Sequence, residues 1–261
     1  MRKIAITNLK GGVGKTTTAV NLAAGLARIL EPRGERVLLV DLDPQVEASA
    51  SSWLGAPEGS PMFLEALLGR GDLYDLVWPT AVPGLDMIPG HQTLSRAEVM
   101  LAGEPGSEVA LAKRIEGLPD RKWGVMIYDT PPAQGWLMHS ALAAATDVLV
   151  VIESGAMALG SLVGLDRVIR LVRERLNPQL ELFGVLQGRA DTRTRLYREI
   201  AELLREQFGN EALATVIRSD VRLLEAPGHR KDIFSYAPQS RAAEDFETLA
   251  TEVAFRLNIL E

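Results

Sequence analysis

The sequence predicts an α/β fold: a mostly parallel, twisted sheet with helices on both faces. Two observations carry that expectation. Short apolar runs rich in β-branched residues recur along the chain, each bounded by turn residues or charges, and helical periodicities lie between them. Strands that alternate with helices pair in parallel and are covered on both sides, so they read as continuous apolar runs and not as alternating ones.

Ile4 to Ile6 is the first such run, and Val20 to Leu30 the first helix. Val37 to Val40 is the second strand. The Pro/Gly-rich stretch from Gly55 to Gly90 contains apolar islands such as Met62 to Leu68 and reads as an excursion from the sheet, not as a linker between domains. Leu94 to Leu101 returns to helical spacing. Val125 to Tyr128, Val148 to Ile152 and Leu182 to Leu186 are strands, separated by helices over Leu137 to Ala145 and Leu159 to Leu176. Two further helices, Leu196 to Phe208 and Phe246 to Leu257, complete the chain. With no repeat of about 20 to 50 residues and no low-complexity tract, the expectation is one domain over residues 1–261.

Composition removes several functional classes. The chain has no cysteine, which excludes disulfides, zinc ribbons, iron-sulfur clusters and thiol nucleophiles together. His91, His139 and His229 form no ligand-spaced pair. Lys and Arg total 28 against 34 Asp and Glu, a net charge of −6, so any contact with nucleic acid has to be a local patch. The apolar run Val148 to Ile152 falls far short of the ~20 residues of a membrane helix, and the N-terminal run is too short for a signal peptide. A soluble, cytoplasmic protein is expected.

The informative segment is Lys10-Gly11-Gly12-Val13-Gly14-Lys15-Thr16-Thr17, between the first strand and a helix starting near Lys15. Backbone N–H groups of a glycine-rich turn can surround phosphate oxygens where no side chain blocks the approach, and the helix N-terminus adds the positive end of its dipole. Lys15 would reach the β- and γ-phosphates, and the Thr16 hydroxyl would ligate Mg²⁺. The common pattern G-x-x-x-x-G-K-[ST] fails because Leu9 stands at its first glycine; the loop is a variant with Lys10 added. A glycine-rich turn without ligand is the plain alternative. Asp41, Asp43 and Asp129 argue against it: they end the second and third predicted strands, and in a parallel sheet these ends open on one edge, where ligands bind. Phosphoryl transfer to water needs charge neutralisation and a positioned nucleophile. Asp129 would belong to the Mg²⁺ shell, and Asp41 or Asp43 would orient the attacking water. A helix cap or a loop ion pair is the alternative for each aspartate taken singly.

These residues resemble the ParA/MinD group of deviant phosphate-loop ATPases, and within it the Soj-like ParA proteins of DNA partitioning. Val40-Asp41-Leu42-Asp43-Pro44-Gln45 is similar to the first switch of that family and Tyr128-Asp129-Thr130-Pro131-Pro132 to its second. Val221-Arg222-Leu223-Leu224-Glu225-Ala226-Pro227 and Ser240-Arg241-Ala242-Ala243-Glu244 resemble late segments typical of ParA. The resemblance implies a P-loop NTPase with ATP and Mg²⁺ as cofactors and slow hydrolysis stimulated by a ParB-like activator. It implies that Lys10 contacts the partner's nucleotide in an ATP-dependent homodimer and that Asp43 is needed for hydrolysis. Asp41 and Asp129 take the magnesium and water network, and Gly11, Gly12, Val13, Gly14, Lys15, Thr16 and Thr17 hold the phosphates. Arg193 and Arg222 match arginines that bind duplex DNA without sequence preference, giving nucleoid association. Charge counting agrees with such a patch: Arg189, Arg193, Arg195 and Arg198 face only Asp191 over ten residues, and Arg218, Arg222, Arg230 and Lys231 form a second cluster.

The N-terminus leaves no room for the helix-turn-helix domain of larger plasmid proteins, so operator-specific binding is not expected. Departures from the family pattern are Val46 and Glu47 after the first switch, the run Glu153-Ser154-Gly155-Ala156-Met157, and Arg218 and Asp220 in place of proline and asparagine near the adenine site. Asp220 can still accept from the adenine amino group. A MinD-type membrane ATPase would carry a basic C-terminal helix, whereas residues 244–261 hold Glu244, Asp245, Glu247, Glu252 and Glu261 against Arg256 alone. Three rivals remain: a ParA-like positioning ATPase for a cargo other than DNA, a small-molecule kinase or ligase such as a dethiobiotin-synthetase-like enzyme, and a binding module that holds nucleotide without turnover.

Overall fold

The computed structural model describes residues 1–45, 49–57, 59–101, 103–118, 122–153 and 158–260. The strands are β1 (Arg2–Thr7), β2 (Arg36–Asp41), β3 (Trp78–Pro79), β4 (Leu85–Ile88), β5 (Trp123–Asp129), β6 (Asp147–Glu153), β7 (Glu181–Ala190) and β8 (Ala212–Arg218). They form one sheet in the order β3-β4-β2-β5-β1-β6-β7-β8. Every neighbouring pair is parallel except β3 with β4. The helices are α1 (Lys15–Leu30), α2 (Ala50–Leu54), α3 (Met62–Leu67), α4 (Leu94–Leu101), α5 (Ala110–Glu116), α6 (Trp136–Ala144), α7 (Ala158–Arg175), α8 (Arg195–Phe208), α9 (Arg222–Glu225), α10 (Ile233–Tyr236) and α11 (Arg241–Arg256). None of the described helices is long and apolar enough to cross a membrane.

Alternation along each strand divides the core between two faces. Leu38, Val40, Met126, Tyr128, Val148 and Val150 pack under α3 to α8, against Phe63, Leu94, Leu111, Met138, Leu165 and Ile200. Their neighbours Ile4, Ile6, Leu39, Val125 and Ile127 face α1, α2 and α11 and meet Val20, Trp53, Phe246 and Leu249. Helices α1 and α11 approach so closely that a Cβ on Gly25 would lie 2.7 Å from Ala250 Cβ. β1 stands between β5 and β6, with β2 beyond β5 and β7 beyond β6, so the strand order reverses beside it. The crevice at the C-terminal end of β1 is therefore where this architecture places a ligand.

All five expected strands and six expected helices are present, with ends shifted by a few residues. The stretch 55–90 corrects the sequence reading: after α3 it returns to the sheet as β3 and β4. Asp86 interrupts the apolar run of β4, and its charge is met inside the fold by Arg36, at 2.8 and 2.6 Å, and by Trp123 Nε1 at 2.9 Å. Strand β8 lies at the sheet edge and buries only alternate residues, so it lacks the continuous apolar run of its neighbours.

Candidate nucleotide site

The loop between β1 and α1 starts at Asn8, whose Nδ2 donates to the Val151 carbonyl at 2.7 Å and whose Oδ1 accepts from Lys10 N at 3.0 Å. The loop is thereby tied to β6. Gly12 (φ +74°) and Gly14 (φ +98°) take left-handed conformations that side-chain-bearing residues rarely adopt. Gly14 precedes α1 without a capping side chain, and the first turn holds no acidic residue. The leading N–H groups and the positive end of the dipole are thus left to an anion. Lys15 is buried, and its Nζ donates to the Lys10 carbonyl at 3.0 Å. Burial holds its pKa below the ordinary lysine value, with the charges of Asp129 and Asp43 opposing.

The acidic strand ends meet at this edge but differ in their partners. Asp41, fully buried, accepts from Ser51 N at 2.9 Å, from the Ser51 hydroxyl and from Asp43 N at 3.0 Å. The Ser51 hydroxyl in turn accepts from Gly90 N at 2.9 Å, so Asp41 holds α2 and the end of β4 together. Asp43 accepts from Gln45 N at 2.9 Å, and burial followed by repulsion from Asp41 raises its pKa. Asp129 is fully buried, and neither carboxylate oxygen has a hydrogen-bond partner. Burial pushes its pKa well above the ordinary carboxylate range, Asp41 and Asp43 push the same way, and the nearby Thr16 hydroxyl and Lys15 oppose.

Among the described residues, no three His, Cys, Asp or Glu side chains form a metal-binding group. Mg²⁺ commonly takes one or two protein oxygens and completes its shell with phosphate oxygens and water. Asp129, with two unpartnered oxygens near the Thr16 hydroxyl, fits that requirement. Asp41 fits less directly, since its oxygens are already engaged.

A cavity of about 630 Å³ runs from Gly11–Thr18 past Asp43, Gln45 and Pro132 to the ends of β7 and β8, where Gly188, Arg189, Ile217, Asp220 and Phe246 line it. Asp220 therefore lines the cavity just beyond the end of β8, but Oδ1 already accepts from Arg222 N at 3.0 Å and lies 3.3 Å from Arg222 Nη1. Arg218 also lines the cavity, yet its guanidinium is taken up by Asp245 and Glu244 of α11.

The arginine counts change once partners are known. Arg193 is paired with Asp191 through Nε at 2.8 Å and Nη2 at 2.9 Å, and Arg195 with Glu199 at 2.7 Å. Arg189 does not belong to that surface: it lines the cavity and donates to the Gly12 carbonyl at 2.8 Å. Lys10 is not part of the cavity wall, and its Nζ rests 3.4 Å from Glu153 Oε2. Val46 and Glu47, and residues 154–157 of the second departure, lie outside the described residues. Ser51 escaped the sequence reading and Arg189 entered it only as one of a basic cluster, because nothing local marks a serine as the partner of a strand-end aspartate or an arginine as a loop contact.

The model of the AAA domain family matches residues 1–182. The chain is 42% identical to the chromosome-partitioning ATPase Soj of Thermus thermophilus over 257 residues, covering 98% of this chain and 97% of that protein. It is 35% identical to the chromosome partitioning protein ParA of Caulobacter vibrioides, covering 98% and 95%. Among solved structures, cobyrinic acid a,c-diamide synthase from Mycobacterium smegmatis with bound ADP and magnesium superposes with a TM-score of 0.79 at 30% identity, covering 96% of this chain and 92% of that one. The phosphate loop, the acidic strand ends and likeness along nearly the whole chain converge: the chain belongs to the ParA/Soj family of chromosome-partitioning ATPases, and is a P-loop ATPase that takes ATP with Mg²⁺.

Proposed function

We propose that the chain is an ATP-driven switch for DNA segregation: it binds ATP, closes a homodimer through Lys10, binds duplex DNA without sequence preference, and lets go when a ParB-like activator stimulates hydrolysis. The observation that carries this reading is the contrast between two lysines of one loop. Lys15 is buried and faces its own cavity edge, whereas Lys10 is 44% exposed in its side chain and stands outside the cavity wall. A flexible ammonium in that position suits a phosphate approaching from a second subunit.

In this reading the backbone of Gly11 to Thr17 holds the phosphates, Lys15 neutralises them in cis, and Asp43 orients the attacking water. Thr16 and Asp129 would hold Mg²⁺, which supplies charge neutralisation on the phosphate oxygens. Asp41 keeps Asp43 and α2 in register by accepting from Asp43 N and from Ser51. Asp220 accepts from the base, and Arg193 and Arg222 exchange their aspartate partners for DNA phosphates. Groups supplied or reorganised by an activator are worth about 10³ to 10⁵ in rate in other phosphate-loop enzymes. A ligase reading is the second possibility, favoured by the 30% identity to the M. smegmatis diamide synthase.

Binding to nonspecific duplex DNA at several salt concentrations, with no nucleotide, ADP, ATP or a non-hydrolysable analogue, tests the proposal. Binding is expected only with ATP or the analogue, lost in Lys10→Ala, and weakened in Arg193→Ala with a salt slope shallower by about one. No DNA binding in any nucleotide state, with ATP still bound, refutes it in favour of a ligase or of a positioning ATPase that uses another surface.

A further inference from the structure

The ends of β6 and β7 carry a charge arrangement that the proposed cycle leaves unused. Glu153, the last residue of β6, sits between two cations: Oε2 lies 3.4 Å from Lys10 Nζ, and Oε1 lies 3.8 Å from Arg189 Nη1. The same Nη1 donates to the Gly12 carbonyl at 2.8 Å, across 177 residues of sequence. Arg189 takes φ +49°, a left-handed conformation uncommon for a residue with a side chain and one that clusters at functional sites. Its neighbour Gly188 brings β7 against the loop, where an added Cβ would lie 3.6 Å from the Val13 carbonyl.

We propose that Glu153 is a counter-ion latch that holds Lys10 on its own subunit, and that Arg189, fixed to Gly12, shares the carboxylate and keeps the hold weak enough for a phosphate to break. The inference rests on the reading of Lys10 given above. A carboxylate and a nucleotide phosphate compete for the same ammonium. Lys10 is a point charge on a flexible stem and can leave, whereas the Arg189 fork is tied to the loop backbone. The carboxylate thus acts as the stand-in for a phosphate that only a second subunit brings. Both partners of the Lys10 pair are partly exposed, at 44% and 34%, so the latch sets a threshold and does not lock the chain. Glu153 and Arg189 are positioning residues in this scheme: both act through Lys10 and neither reacts.

The test measures the concentration of a non-hydrolysable ATP analogue that gives half-maximal dimer, by sedimentation velocity on the full chain, with ADP affinity titrated in parallel. Glu153→Gln is expected to lower the half-point about twofold to fivefold at low salt, with a smaller shift at high salt and an unchanged ADP affinity. Glu153→Asp retains the charge and stays near wild type. Arg189→Asn, which tolerates the left-handed backbone, leaves the carboxylate wholly to Lys10 and raises the half-point, but has no such effect in the Glu153→Gln background. An unmoved half-point in Glu153→Gln overturns the latch. So does an equal shift in ADP affinity, which would mark a general field effect, or dimer formation by the Lys10→Ala, Glu153→Gln double variant. A wild-type chain that stays monomeric at saturating analogue overturns the reading of Lys10 itself, and the latch with it.

Discussion

Asp129→Asn isolates the charge at the centre of the site. The substitution keeps the shape of the side chain and removes a carboxylate that is fully buried with both oxygens unpartnered. Such a charge costs several kcal/mol in the nucleotide-free protein, whereas an unsatisfied neutral amide costs about 1–3 kcal/mol. Part of the difference is lost because Lys15 gives up a counter-charge. The net expectation is a gain of about 1–2 kcal/mol without nucleotide, which for a chain of this size is a rise of about 2–8 °C in Tm. The pH dependence has a definite sign. A carboxyl whose folded pKa is raised binds its proton more readily folded than unfolded, so wild-type stability increases as pH falls through the raised value and levels off below the ordinary carboxylate range. Asp41 and Asp43 are shifted the same way, so the variant retains a smaller rise. With nucleotide the order reverses: Mg²⁺ should add to the stabilisation by ADP in wild type and add little in the variant. Thermal melts from neutral pH downward, with ADP alone and ADP with Mg²⁺, check both parts. A lower Tm for the nucleotide-free variant, or a full Mg²⁺-dependent gain in it, refutes the assignment.

Two further outcomes are expected. Asp43→Ala should preserve ATP-dependent dimers while hydrolysis stops; normal turnover in that variant, measured as phosphate release, removes Asp43 from the reaction. Gly25→Ala should lower Tm, because its Cβ would meet Ala250 Cβ at 2.7 Å and Phe234 Cζ at 3.4 Å. The overpacking cost of about 1–3 kcal/mol exceeds the gain in helix propensity of about 1 kcal/mol, so a raised Tm would mean that α1 and α11 are less tightly apposed than described.

The parts of the site legible in the sequence are those whose chemistry is local. Glycines, Lys15 and Thr16 stand in one run between a strand and a helix, and the strand-end aspartates follow apolar runs that a parallel sheet must bring to one edge. What stayed hidden depends on partners far along the chain. Asp86 made β4 unreadable because its neutralisation by Arg36 and Trp123 is a tertiary fact. Arg189 counted as one more surface charge because no window of ten residues contains Gly12. Arg218 belonged to a basic cluster until α11 supplied Asp245. Charge counts along a sequence register a patch only where the folded chain leaves those charges uncompensated.

The inner and outer cations of the loop are distinguished by burial, and burial decides what each can do. Lys15 and Asp129 are both shifted toward their neutral forms, each held out of water without a close ion-pair partner. Neither can swing away to relieve that cost, so a ligand carrying both signs, a phosphate for the lysine and a divalent cation for the aspartate, balances the two at once. Nucleotide binding and stability are therefore coupled in the inner site. Lys10 and Arg189 are partly exposed and share Glu153, so each charge is partly compensated before any nucleotide arrives. A phosphate gains there only what it offers beyond a carboxylate, and the exchange is reversible and salt-sensitive. In the proposed cycle, an inner site that binds firmly and an outer site that exchanges readily are what a switch requires, since the first would retain the nucleotide while the second would let a partner subunit come and go.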